Sequence, residues 1–236
     1  MNSSTGQMGS ALIYILVAIV LFASLAVAVG RMNSGATPGN SQSLQLQATE
    51  ILQFSQAVRT AVQDITVNGA TEAQISFENP VAAGYPNAGC VTDSCKLFAS
   101  SGGGLSYIKP QDQWLDASHN AGANYGDWVF SGNNAVTGVG TDGGSDASVE
   151  LLAILPYVKK DLCVQINNML NIANPGGNPP QDDAVTDVTD KFSGTYTASI
   201  VMAGNAQISG QRAACIQDSG APATAPYHFF RVLSAR

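Results

Sequence analysis

The stretch SLQLQATEILQFSQAVRTAVQDITVNG, residues 43–69, decides how the rest of the chain is read. Leu44, Ile51, Leu52, Phe54, Ala57, Val58, Ala61, Val62 and Ile65 recur near the 3.6-residue period. Gln side chains, Arg59 and Asp64 fill the opposite face. The spacing predicts an amphipathic helix that stops at Asn68-Gly69, a natural C-terminal pair. Such a helix serves either as a stem laid across a sheet or as one core helix of an ordinary globular domain. The flanking sequence bears on that choice.

Immediately upstream, RMNSGATPGNSQ (31–42) gathers Gly, Pro, Asn and Ser, a composition that breaks helices. It predicts a hinge near Gly35–Asn40, with Ser41 or Ser43 capping the amphipathic helix. Further upstream is GQMGSALIYILVAIVLFASLAVAVGRM (6–32), with no charged side chain between Ser10 and Arg31. Ala11 to Gly30 is long enough to cross about 30 Å of hydrocarbon as a helix. A cleaved signal has an apolar core of about 7–15 residues and a basic start. This core is longer, and residues 1–10 hold no Lys or Arg, so a retained span is the preferred reading. The small-x-small triplet Ala26-Val27-Ala28 is the alternative cleavage point. Arg31 is the only flanking base and by itself opposes an exported body. The cysteines and the Gly/Asn/Ser-rich composition argue for an N-terminus in the cytoplasm and a body outside it.

Downstream of Gly69 the pattern changes to short runs between turn residues: AQISF, GLSYI, DWVFSG, NAVTGVG and ASVELLAIL. That spacing predicts an antiparallel meander. PYVKKDLCVQINNMLNIANPGG (156–177) reads as a second helix, with Pro156 in its first turn and Val158, Leu162, Ile166 and Leu170 at four-residue steps. YTASIVMAG reads as a strand or short helix, and PYHFFRVLSAR as a closing strand. The predicted class is α+β: an N-terminal transmembrane helix, an amphipathic stem helix, and an antiparallel β-sheet with a second helix. The expected segments are a leader-like 1–9, a transmembrane 10–30, a hinge or linker 31–42, and an exported globular domain 43–236.

Charged residues make up 11 % of the chain and the formal net charge is −7. The ten Lys and Arg are scattered, with Lys159–Lys160 the only adjacent pair, so no nucleic-acid partner is expected. Cys90, Cys95, Cys163 and Cys215 form an even set in a chain with an export-type segment, which points to disulfides. The short loop between Cys90 and Cys95 can close locally, which leaves Cys163 with Cys215. Sequence alone leaves all three connectivities open. The spacing, without a nearby His, is a poor zinc pattern.

A short leader rich in small polar residues, then a Gly, then GSALIYILVAIVLFASLAV, then an amphipathic helix resembles a type IV pilin or a type II secretion pseudopilin. The ensemble GSALIYI, GGGL, KKDLCVQIN and YHFFRVL also resembles uncharacterised alphaproteobacterial pilin-like proteins. The resemblance implies prepilin-peptidase cleavage after Gly9, leaving Ser10 as the first residue. It implies a single-pass protein of the bacterial inner membrane, its body in the periplasm or outside the cell. The implied partners are membrane lipid and similar subunits met through the N-terminal helix. Pilins carry Glu at the fifth mature position; here that position is Tyr14, and residues 1–47 contain no acid. The departure points to a minor subunit rather than a major pilin. The rival reading is a single-span periplasmic binding or adhesion module that does not polymerise.

No catalytic motif is recognisable, and the expectation is a protein that is not an enzyme. His119 falls in a loop-like DASHNAG and His228 in the closing strand. Calcium is the one cofactor worth naming, since it takes six to eight oxygens from carboxylates and carbonyls on loops. GTDGGSDASVE offers Asp142, Asp146 and Glu150; QDDAVTDVTD offers Asp182, Asp183, Asp187 and Asp190. Solvated turns use the same residues, and neither loop has EF-hand spacing. Tyr107, Trp114, Tyr125 and Trp128 read as core of the sheet ahead of an adhesive face.

Overall fold

The computed structural model describes residues 38–140, 149–197, 200–202, 206–219 and 224–236. The leader-like segment, with Gly9 and Ser10, and the apolar stretch 10–30 lie outside the described residues. Among the described residues no helix is long and apolar enough to cross a membrane. The chain divides into two compact units, 1–43 and 44–236, and the sheet belongs to the second.

Helix α1 runs Pro38–Val67. It is already helical at Pro38, so the break expected over 31–42 does not extend past residue 37, and neither Ser41 nor Ser43 is its cap. Proline tolerates a first turn, where its missing N–H has no intrahelical partner and its φ is preset. The far end stops as the sequence predicts. Gly69 takes φ +102, its N–H bonds the Thr66 carbonyl at 3.1 Å, and Ala70 N–H bonds the Ile65 carbonyl at 3.3 Å. That pair of bonds satisfies carbonyls the last turn leaves open.

Among the described residues six strands follow: β1 (Val129–Ser131), β2 (Asn134–Val136), β3 (Leu151–Leu155), β4 (Ile200–Met202), β5 (Ala213–Gln217) and β6 (Tyr227–Ser234). Four of them form an antiparallel sheet in the order β1-β3-β6-β5, while β2 and β4 pair in parallel apart from it. The antiparallel pairing is present but the expected meander order is not: β1 pairs directly with β3, and the intervening β2 leaves the sheet to pair in parallel with β4. Helix α2 covers Lys160–Met169. It starts four residues later than Pro156, because Tyr157 adopts φ +60 and Val158 bridges to Leu115. It also stops well before Asn174: Asn171 takes φ +58 and Ile172 N–H closes onto the Asn167 carbonyl.

The sheet is buried on both faces, and the pleat sorts its residues. Leu151, Ala153, Leu155, Cys215, Phe229 and Leu233 join the α1 stripe of Ile51, Phe54, Val58 and Ile65 in one core. Leu152, Ile154, Ala214, Ile216, Phe230 and Val232 form the other, closed by loop residues such as Ile172 and Val188 and by Met202 of β4. This explains why LLAIL is an unbroken apolar run rather than an alternating one.

Neither AQISF nor GLSYI becomes a strand. Glu72–Gln74 is a 3-10 turn, and Ser76 makes one isolated parallel bridge to Lys96. The Asn87 amide donates to the Ala73 and Ile75 carbonyls at 2.9 and 2.8 Å, replacing the ladder a neighbouring strand would supply. Ile75, Ser76 and Phe77 are all buried, so alternation there reported no exposed face. Trp114 and Trp128 are core, and Tyr107 and Tyr125 pack against it.

Candidate functional site

A groove of about 660 Å³ runs beside the buried stripe of α1. Thr49, Leu52, Gln56, Ala57, Thr60 and Asp64 line one side, mostly at steps of three and four residues. A helical stripe of that length covers about 22 Å at 1.5 Å per residue. Gly103, Leu105 and Met169 form the opposite wall, and Arg231 reaches the groove from β6.

Arg231 occupies an inward position of β6, between Phe229 and Leu233, and is 9 % exposed. Its Nε donates to Ser55 Oγ at 2.8 Å, and Nη1 donates to Gln56 Oε1 at 3.0 Å. The Ser55 hydroxyl itself donates to the Leu52 carbonyl, which turns its lone pairs toward the guanidinium. Among the described residues no carboxylate lies within ion-pair distance of Arg231. Burial, followed by the charge of Arg59, pulls its pKa down to about 10, which leaves it a cation at neutral pH.

His228 is 1 % exposed and both ring nitrogens are engaged. Nδ1 accepts Tyr157 N–H at 3.2 Å, which fixes the hydrogen on Nε2, and Nε2 donates to Asp218 Oδ2 at 3.0 Å. Asp218 Oδ1 accepts from Thr186 N and Oγ1 at 3.0 and 2.8 Å. A nucleophile-activating histidine needs one ring nitrogen facing the nucleophile; here the backbone of Tyr157 holds it. His119 stacks on the Tyr157 ring with centroids 5.7 Å apart, and His228 meets the same ring edge-on at 5.3 Å. Gly122 is required beneath that ring, since a Cβ there would sit 2.4 Å from Tyr157 Cζ.

The acidic residues serve local structure where they are described. Asp187 Oδ1 accepts from Thr189 N and Oγ1 at 2.8 and 2.7 Å. Asn133 Nδ2 joins Asp187 to Asp190 at 3.3 and 2.6 Å. Burial pushes the Asp187 carboxyl up, but the bonds from Thr189, Asn133 and Asp190 outweigh it and hold the group below the usual carboxylate range. Asp182 Oδ1 accepts the N–H of the exposed Asp183 at 2.9 Å. Asp142 and Asp146 lie outside the described residues. Among the described residues no three His, Cys, Asp or Glu side chains converge as metal ligands. Glu150 is fully buried, with Oε2 accepting Val136 N–H at 2.7 Å. Its Oε1 has no partner among the described residues, and burial raises its pKa.

Cys90 pairs with Cys95 and Cys163 with Cys215. The second bridge ties α2 to β5. Sequence reasoning missed Arg231, Asp218 and the β5 strand AACIQ. Arg231 was findable: in HFFRVL a single charge takes a position that the alternation of Phe229 and Leu233 assigns to the core. Comparison of the chain with protein-family models, with curated proteins and with solved structures finds no match.

Proposed function

We propose that the chain is a membrane-anchored structural subunit, pilin-like or minor pseudopilin-like, of an envelope filament or secretion assembly. The observation that carries this reading is α1. It follows an uncharged 20-residue stretch, Ala11 to Gly30, by a few residues and lays an apolar stripe over a four-stranded antiparallel sheet. A stem helix of that kind couples a span to an exported body. The two disulfides suit an oxidising compartment outside the cytoplasm.

The mechanism is assembly rather than catalysis. Apolar helices leave lipid and pack on one another, held by van der Waals contact because lipid tails are as apolar as the helices. Tyr14 stands where a major pilin has its assembly Glu, so the role is that of a minor, initiating or tip subunit. The engaged ring nitrogens of His228 favour a non-enzymatic reading.

The test is intact mass and N-terminal peptide mapping of the protein from its host's membranes, without reductant. A first residue at Ser10, with or without N-methylation, is the expected result. A start at Met1 would replace the assembly subunit with an anchored binding module. A start at Val29 would make the apolar stretch a removed signal.

A further inference from the structure

We propose that the groove along α1 is a docking site for an apolar segment of a partner protein that places one carboxylate on the Arg231 guanidinium. The inference does not depend on filament assembly.

Arg231 supplies the recognition chemistry. A guanidinium carries five N–H donors in a planar fork. Two of Arg231's bonds, to Ser55 and Gln56, are made within the chain. The guanidinium carries more donors than these two bonds use, and Arg231 lines the groove. A desolvated cation normally has a counter-ion, because removing it from water is costly. Here the one charge that shifts its pKa is another cation, Arg59, which adds to the effect of burial. Among the described residues no carboxylate, Asp64 of the same groove included, reaches ion-pair distance of Arg231, and an incoming carboxylate matches the fork in plane and in number of acceptors.

The walls supply the rest. Leu52, Ala57, Leu105 and the exposed Met169 offer apolar surface in the same groove as the guanidinium. A length of about 22 Å accommodates six or so extended residues at about 3.3 Å each. Asp64 also lines the groove, which opposes a dianion such as phosphate and favours a singly charged group flanked by apolar side chains.

The four-stranded sheet blocks the common alternative for taking up a peptide. Strand addition needs a bare sheet edge. On the β1 edge, Phe130 N–H donates to Tyr85 Oη and the Phe130 carbonyl accepts from Phe192 N–H. On the β5 edge, Asn167 occupies Cys215, and residues 180–182 occupy Gln217. The α1 groove remains open.

The experiment uses the full chain with both disulfides intact. The probes are blocked, fluorescein-labelled heptapeptides of aliphatic residues carrying Glu, Asp, Gln, Asn or Lys at one scanned position. Binding is read by fluorescence polarisation. Acidic peptides are expected to bind about tenfold or more tighter than their amide isosteres. Arg231→Gln should erase that preference, and Arg231→Lys should restore it only in part. Ala57→Trp fills the groove, leaves Arg231 in place, and should weaken binding about tenfold. Equal binding of Glu and Gln peptides overturns the proposal, as does absence of binding, or an acid preference that survives Arg231→Gln. Self-association of the chain that depends on Arg231 and is not competed by acidic peptides overturns it in favour of a second copy.

Discussion

The side-chain amide of Asn167 pairs with both backbone polar groups of Cys215. Its Oδ1 accepts Cys215 N–H at 2.9 Å, and its Nδ2 donates to the Cys215 carbonyl at 2.8 Å. The amide thus acts as one peptide unit of a strand that is not there. It closes the outer edge of β5 one helical turn after Cys163, which is bonded covalently to the same residue. Unpaired edges template aggregation, so disulfide and amide together fix α2 and protect the sheet.

Asn167→Ala removes both bonds, together with the one Nδ2 donates to Asn174 Oδ1, and leaves two buried backbone groups without partners. The expected loss is about 2–4 kcal/mol, at roughly 1–2 kcal/mol for each orphaned group. Urea denaturation with the disulfides intact measures it. The variant should also aggregate at concentrations where the parent stays in solution. A loss no larger than that of an exposed Asn→Ala change would show that water satisfies the edge equally well.

Tyr85 plays the same part on the other edge. Its hydroxyl donates to the Trp128 carbonyl at 2.8 Å and accepts Phe130 N–H at 3.1 Å, inside a cluster with Phe77 and Phe130. Tyr85→Phe keeps the ring packing and deletes only the bridge. The expected cost is about 1–3 kcal/mol. Tyr107→Phe, which loses a single bond from Trp128 N–H, should cost less, and the comparison of urea midpoints tests the ordering.

The two disulfides should differ in value because their loops differ in length. Cys163 and Cys215 are 52 residues apart, Cys90 and Cys95 only 5. Chain entropy assigns about 4 kcal/mol to the longer loop and about 2 kcal/mol to the shorter. Paired Cys→Ala variants, unfolded in urea, measure each. Removing Cys163 and Cys215 together with Asn167 should be non-additive, since both act on the same residue.

Where sequence patterning agreed with tertiary environment, it was legible. The 3.6-residue stripe of α1, its Gly69 stop and the closing strand with Phe229 and Leu233 each obey one local rule. The rule failed wherever side chains replaced the backbone partner. Ile75 to Phe77 look like a strand, but Asn87 and a single bridge take the ladder's place. Pro156 marks a helix start by propensity, but Tyr157, wedged over Gly122 at positive φ, delays the start to Lys160. The groove was not legible, since Leu52, Leu105, Met169 and Arg231 converge only after separate segments pack. The acidic loops were legible as turn chemistry, which is what Asp187 does.

Glu150 offers a test of the interior by pH. It is fully buried, one oxygen takes Val136 N–H, and the other has no partner among the described residues. Burial raises its pKa above the ordinary 4.5, against hydrogen bonds from Val136 and its own backbone that lower it. The folded state therefore holds the proton more tightly than the unfolded chain. The stability that proton confers is fully present below about pH 4.5, the unfolded value, and is lost as pH rises through the higher folded value. Glu150→Gln keeps an acceptor for Val136 and carries no charge at any pH. It should match the parent near pH 3.5 and exceed it in stability at pH 7. Urea midpoints of both proteins at the two pH values decide the matter. Equal midpoints at both would mean that the buried carboxylate ionises without penalty, and a variant less stable at pH 7 would mean that the charge is itself held by a partner.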